Sequence, residues 1–337
     1  MGKNMKKILV LLFVLSLSFP AYLSAQKLSS IPGSFVDIGF GARPVGMGFA
    51  FVGLANDENA AYWNPAGLIQ MDSYGIAFTH ANQLQLVPYN FFAGVAPIKS
   101  KSEAVKQSLG LTFISSGDYA LHELSIHAVY SIAYKTISAG IALKYRYAGF
   151  GNNVLNPDDY FAFSESEISE GFNQQIYGTA QGYGLDFGLL YRPYQRFQLG
   201  ILVRDLYAPI AWSGKAKSDA YQSDGDYDED LPMEVLVGIA LKVYPRLTIT
   251  TDFQPALKSD RSHIVRLGSE ATLIDYKKST FLLRAGTEQG LNAVNDEKIT
   301  GGFGLVIPID KIRLRADYAY LIQDLANSHR ISFSIRF

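Results

Sequence analysis

The chain of 337 residues contains no cysteine. That single absence excludes disulfide scaffolds, thiolate zinc sites and cysteine nucleophiles. Charge is also scarce, at 18% of residues, where soluble domains average about 25%. Neither sign dominates, since 30 basic residues face 31 acidic ones for a net charge of -1. Without a basic surplus nothing offsets phosphates, so nucleic acid is not an expected partner. Long apolar runs are missing too, and mean hydropathy is only +0.06. A bundle of membrane helices needs stretches of about 20 apolar residues. What is plentiful is Gly (30), Tyr (21) and Phe (21), a mix that suits strands and turns. The length admits two domains or one large β-barrel, and the pattern along the chain decides between them.

Lys3, Lys6 and Lys7 precede an apolar run from Ile8 to Phe19, followed by Pro20 and small residues to Ala25. A basic start, a short apolar run and a small-residue end describe a secretory signal peptide over residues 1–25, too short to span a bilayer well. No Cys follows it, so lipoprotein processing is excluded.

From Tyr74 onward the chain alternates apolar and polar residues in segments of about ten, separated by turn residues. In the clearest, Lys311, Arg313, Arg315 and Asp317 share one face, opposite Ile312, Leu314, Ala316, Tyr318 and Tyr320. Thr248, Thr250, Asp252 and Gln254 likewise oppose Leu247, Ile249, Thr251 and Phe253. A period of two is a strand signature. Counting gives about fourteen strands, near 73–81, 89–98, 107–115, 123–135, 137–149, 180–192, 195–206, 232–243, 245–256, 263–275, 279–288, 298–307, 311–322 and 329–337. Short connections alternate with mostly longer ones, above all 150–179 and 207–231, which is the asymmetry of outer-membrane barrels. Tyr145, Tyr147, Tyr183, Tyr191, Tyr318 and Tyr320 near strand ends suit interfacial girdles. The expected fold is therefore all-β: a transmembrane antiparallel β-barrel over residues 73–337. Its last strand aligns Phe333, Ile335 and Phe337 on one face, and this terminal aromatic strand resembles the signal read by the barrel-assembly machinery. Outer-membrane lipid is the expected surrounding.

Residues 26–72 do not alternate. They are glycine-rich and carry apolar Phe49, Phe51, Tyr62 and Trp63, which need a partner away from water. Asp57 is placed to cap a short helix that ends near Asn64, because the residue before Pro65 is pushed out of the helical region. Strands about 4.8 Å apart and tilted by roughly 40° give a fourteen-strand cylinder roughly 27 Å across. An empty cylinder of that width leaks, and a compact segment of this length fits inside it. Residues 26–72 are thus expected as an N-terminal plug.

The stretch from Gly41 to Leu68, opening Ala42-Arg-Pro-Val-Gly-Met-Gly-Phe-Ala and closing on Asn64, Pro65, Ala66, Gly67 and Leu68, resembles the PorV/PorQ family of outer-membrane barrels. That family is related to the FadL long-chain fatty-acid transporter. The resemblance implies a FadL-like barrel with an inner plug, working in type IX protein secretion or in uptake of hydrophobic compounds.

Chemistry-bearing motifs are few. There is no G-x-S-x-G elbow, and Gly214-Lys215 is followed by Ala216 rather than the Ser or Thr of a phosphate loop. The five histidines are scattered, and no catalytic, cofactor or metal site is expected. Asp224 to Asp230 places Asp at alternate positions, as a calcium loop does, but Glu229 stands where its turn glycine belongs. A solvated charge run is the simpler reading. Inward charges of both signs, among them Lys144, Arg146, Asp186, Arg204, Glu270, Arg284 and Asp317, are expected to pair with one another and with the plug. The main functional expectation is a non-enzymatic secretion component binding a translocon or secreted cargo. In it, loop aromatics Tyr160, Phe161, Phe163, Phe172, Tyr207, Trp212 and Tyr221 would supply contact surface. The alternative is a FadL-like transporter whose hydrophobic ligand is lined by Phe49, Phe51, Tyr62 and Trp63. Barrel architecture alone does not separate these from a purely structural barrel.

Overall fold

The computed structural model describes residues 35, 38–83, 87–100, 102, 104–117, 120–151, 176–216, 225–258, 261–276, 279–291, 297–324 and 326–337. The signal peptide at 1–25 lies outside the described residues, as do Tyr160, Phe161, Phe163, Phe172 and Tyr221. Sixteen strands follow the chain: β1 (Gly75–Gln83), β2 (Val87–Ile98), β3 (Val105–Gly117), β4 (Leu121–Tyr134), β5 (Ile137–Phe150), β6 (Ile176–Tyr194), β7 (Phe197–Tyr207) and β8 (Pro209–Ala216). They continue as β9 (Gly225–Asp230), β10 (Glu234–Tyr244), β11 (Leu247–Gln254), β12 (Ile264–Tyr276), β13 (Ser279–Gly290), β14 (Glu297–Ile309), β15 (Ile312–Ile322) and β16 (Ser328–Arg336).

Fourteen of them close a barrel: β1 to β7 and β10 to β16, with β7 beside β10 and β16 returning to β1. Every pairing is antiparallel, and the fourteen strands fall where the alternation places them, with ends shifted by a few residues. The segment 207–231, read from sequence as an outer loop, instead contains the β8–β9 hairpin, which pairs with the far end of β6 from Ile176 to Gly182. Alternation there is too short to announce strands.

Burial is inverted relative to a soluble barrel. Phe78, Phe92, Leu111, Phe113, Leu143, Leu267, Leu283 and Phe303 are exposed on the outside, while Thr79, Ser108, Thr112 and Ser131 of the same sheet are buried inside. Polar residues inside and an apolar belt outside are what a lipid surround demands. At the rim that carries the short turns and the chain's C-terminus, Tyr74, Tyr134, Tyr194, Tyr244, Tyr276 and Phe337 are all exposed. Tyr74 stacks on Phe337 at 5.9 Å. Rings with a wet hydroxyl belong at such an interface. The sequence-expected girdle is only partly this one. Tyr145 and Tyr183 face each other across β5 and β6, at 5.7 Å and well away from that rim.

One wall segment breaks the period. Between β6 and β7 the register shifts around Asp186, and Asp205 adopts a left-handed φ of 52°. A bulge of this kind lets two successive residues face the same side. Arg204 and Asp205 are accordingly both buried. Strict alternation would have placed the Asp205 carboxylate in lipid, and the bulge turns it inward. There Lys144 reaches it at 3.0 Å and Arg146 at 2.8 Å.

Candidate functional site

Residues 38–72 run along the inside of the barrel and are bonded to its wall. The Ala42 N–H donates to Ser332 Oγ at 2.7 Å and the Gly48 N–H to Thr300 Oγ1 at 3.0 Å. One carboxylate oxygen of Asp252 accepts from the Phe51 and Val52 N–H groups, both at 2.8 Å. A short helix spans Ala60–Trp63, and it stops before Pro65 as the sequence requires. Its N-cap is Asn59, without a side-chain cap bond, rather than Asp57 as the sequence suggests; Asp57 Oδ1 instead accepts from the Asn59 N–H at 3.0 Å, in the turn before the helix. Asn64 then turns the chain into the 3₁₀ helix Pro65–Gln70. Its side-chain oxygen accepts from the Ala66 N–H at 3.1 Å, and its amide donates to Val52 O at 3.0 Å and Leu189 O at 3.2 Å. The Asn64–Leu68 motif is therefore a docking element: it ties the inner segment to itself and to β6. Ala66 and Leu68 are fully buried, and the Ser131 hydroxyl donates to the Pro65 carbonyl.

The inward charges pair as expected, and the inner segment joins them. Arg43 donates to Glu270 at 2.7 and 2.8 Å and to Asp57 at 2.8 Å. Glu270 also meets Arg284 at 2.7 Å, Arg284 meets Asp317 at 2.9 Å, and Arg336 reaches Glu58 at 2.7 Å. Burial works against a charged Asp57, but Arg43 and Arg315 outweigh it and hold the carboxyl below the ordinary carboxylate range. These pairs are buried, so removing one partner strands the other in low dielectric.

Two cavities lie on the side of the inner segment away from the C-terminal rim. The larger, about 220 Å³, has an apolar floor that includes Phe49, Trp63, Leu236 and Leu321, and a polar wall with Glu234, Arg266, Glu288 and Lys298. Trp63 is fixed by its indole N–H, which donates to Phe40 O at 2.7 Å. Arg330 lies over the Phe49 ring at 5.9 Å and donates to the carbonyls of Ile38 and Gly39. The smaller cavity, about 60 Å³, is bounded by Phe40, Tyr62, Tyr89, His127, Lys144 and Arg146, among others. Of the four aromatic candidates, Phe49 and Trp63 meet in the larger cavity and Tyr62 borders the smaller. Phe51 lines neither; it is buried under Arg43, whose guanidinium lies 5.2 Å from its ring centre.

Sequence reasoning missed Arg330 and Leu321 as lining residues, because only strand register reveals what stands beside Phe49. Trp212, which the sequence suggests as a loop contact for cargo, is buried, stacked on Tyr227 at 6.0 Å and donating to Glu229 at 2.8 Å. It forms a satellite core between β6 and the β8–β9 hairpin with Ala148, Ala180 and Ile210. Residues 225–230 of the acidic run are a paired strand rather than a loop wrapped round an ion. Among the described residues no three His, Asp or Glu side chains converge as metal ligands would.

A closed fourteen-strand barrel with an apolar outside, a charged inside and an inner segment across it defines a transmembrane β-barrel fold. No family model matches the chain, and no curated protein matches it. Solved structures do. The CymD monoaromatic hydrocarbon channel superposes with a TM-score of 0.58 at 13% identity, covering 89% of this chain and 97% of that one. The toluene transporter TodX of Pseudomonas putida gives 0.53 at 13% identity, with 88% and 97% covered. A Pseudomonas aeruginosa FadL homologue gives 0.52 at 12% identity, with 86% and 95% covered. The architecture is that of a FadL-like barrel.

Proposed function

We propose that this protein is an outer-membrane channel for small hydrophobic compounds, exported by its 1–25 signal peptide and plugged by residues 26–72. The observation that carries the reading is the cavity of about 220 Å³ floored by Phe49, Trp63, Leu236 and Leu321. A cavity of about 150 Å³ is enough to hold benzene, so one ring with a short substituent fits by volume, resting on the apolar floor and facing a wall that carries Glu234, Arg266, Glu288 and Lys298. The fold shared with channels described as carrying monoaromatic hydrocarbons and toluene supports the same class of ligand. Cells producing the protein are expected to take up toluene several-fold faster than cells lacking it. Equal rates at matched expression would overturn the reading.

Secretion is the second reading, favoured by the PorV/PorQ-like Gly41–Leu68 stretch and by the β8–β9 hairpin, which exposes Asp226, Asp228 and Asp230 beyond the barrel wall. Purification from detergent-solubilised membranes with mass spectrometry separates the two. A co-purifying translocon or cargo protein favours secretion, and a bound hydrophobic compound without a protein favours transport.

On either reading, assembly is proposed to depend on Phe333, Ile335 and Phe337, which are exposed on the lipid side of β16 and just after it. Phe337→Asp places a charge at the stacked Tyr74 rim and is expected to reduce folded, heat-modifiable barrel in membranes several-fold. Wild-type levels would show that the terminal ring carries no assembly signal.

A further inference from the structure

The two cavities described above meet at Arg204, beside the inner-segment residues Phe40, Tyr62 and Trp63. Arg204 is the only described residue that lines both the cavity of about 220 Å³ and the cavity of about 60 Å³. Its guanidinium carbon lies 5.0 Å from the Tyr62 ring centre, and Tyr62 in turn meets Trp63 edge to face at 5.6 Å. Glu234 on β10 holds the guanidinium from the larger-cavity side at 3.6 Å. Behind it the backbone is anchored by the bulge. The Asp205 N–H donates to Asp186 at 2.8 Å, while Lys144 and Arg146 grip the Asp205 carboxylate. A long side chain rooted at a fixed point and clamped at its tip is a partition.

We propose that Arg204 is the specificity-determining residue of this channel, setting the greatest length of hydrophobic compound that the larger cavity accepts. The inference rests on the transport reading and names the feature that limits the substrate. With Arg204 across the gap, a ligand is confined to about 220 Å³, room for a benzene ring and a short alkyl tail when benzene itself needs about 150 Å³. A longer tail meets the guanidinium end-on. Shortening Arg204 joins the smaller cavity, about 60 Å³, and adds the space the side chain had filled. At roughly 30 Å³ per water-sized unit, that is length for several methylenes. Each methylene newly buried strengthens binding roughly fourfold, at about 0.8 kcal/mol.

The test uses the full-length protein in cells offered an equimolar mixture of n-alkylbenzenes from ethylbenzene to octylbenzene, with uptake corrected for cells lacking the protein. Ratios within one mixture cancel differences in expression. Wild type is expected to favour the short-chain members and reject hexylbenzene and longer. Arg204→Ala is expected to raise the hexylbenzene-to-ethylbenzene ratio at least tenfold, whereas Arg204→Lys, which keeps most of the length and the charge that pairs with Glu234, keeps the wild-type cut-off. Glu234 retains Arg261 at 3.4 Å in both variants, which limits the damage to folding. Should Arg204→Ala fail to give a heat-modifiable barrel, Tyr62→Ala opens the partition from its other side and is expected to move the cut-off the same way. An unchanged cut-off in the folded alanine variant overturns the partition while leaving transport standing. A cut-off that moves as far in Arg204→Lys shows that the length of this side chain does not set the limit, and overturns it too. Wild-type cells that take up none of the series overturn the transport reading itself, and the partition with it.

Discussion

Arg43→Met is expected to turn a closed barrel into one that conducts ions, with open time in a planar lipid bilayer raised about a hundredfold. Arg43 is buried, and it links the inner segment's Asp57 to the wall's Glu270 with contacts of 2.8 and 2.7 Å, shorter than those of Arg315, which bridges the same two carboxylates at 4.0 and 3.7 Å. Methionine keeps an unbranched apolar stem, ends two bonds short of the terminal guanidinium nitrogens and removes every donor. Breaking one side of a buried charged pair costs about 3–5 kcal/mol, because the abandoned carboxylate stays in low dielectric. Arg284 still reaches Glu270 at 2.7 Å, and Arg315 remains 4.0 Å from Asp57, so the lower end of that range applies. Near 3 kcal/mol the ratio of released to docked segment changes by about two orders of magnitude. If residues 26–72 act as the plug, that ratio is the leak. The double variant Arg43→Met with Asp57→Asn removes the carboxylate that keeps only the 4.0 Å contact to Arg315 and is expected to recover part of the closure. Conductance indistinguishable from wild type in the single variant would mean that the ion pairs decorate a segment held by other contacts. Acid is a weaker lever. The Asp57 carboxyl is held below the ordinary carboxylate range, so its contribution to docking is present above that range. It fades only as pH falls through the depressed value, so mild acidification leaves the Asp57–Arg43 contact in place.

The barrel was legible in the sequence because lipid imposes a one-sided rule on each strand. Ile249 and Phe253 outside against Thr250 and Asp252 inside could be read without any neighbour. Where the rule bends, reading failed for physical reasons. Asp205 breaks the period through a bulge, and only an acidic residue on an apolar face hinted at it. The β8–β9 hairpin lies beyond the wall, so lipid imposes no alternation on it, and Trp212 serves a local core instead. The site divides the same way. Phe49, Tyr62 and Trp63 stood out as apolar residues in a glycine-rich segment that needed cover. Arg204 was recognised as inward, but its position between two cavities depends on Tyr62 of the inner segment and Glu234 of β10 arriving together. No spacing in one strand encodes that.

The second large effect is expected from the wall rather than from the segment it holds. Gly140 on β5 and Gly188 on β6 are cross-strand partners, and the Asn64-Pro65 corner sits in the dent they leave. A Cβ at Gly140 would come within 2.5 Å of the Ala66 nitrogen and 2.8 Å of the Pro65 oxygen, and one at Gly188 within 3.0 Å of the Pro65 ring. Those neighbours at Gly140 are backbone atoms and cannot rotate aside. Valine favours strands over glycine, so the double variant Gly140→Val with Gly188→Val is expected to build its wall at least as well as wild type. What it loses is the docking corner. Overpacking one such position costs about 1–3 kcal/mol, and displacing Asn64 also breaks its bonds to Val52 O and Leu189 O. The expected result is a fully heat-modifiable barrel with high conductance and no size limit in uptake, because Tyr62 moves with Asn64 and the Arg204 partition loses its backing. Gly94→Val is the matched control. A Cβ there meets only a Phe92 ring atom at 3.8 Å, so the same gain in strand propensity comes without a clash and the barrel stays closed. A double variant as closed and as size-selective as wild type would show that the Asn-Pro corner is not what holds the segment in place.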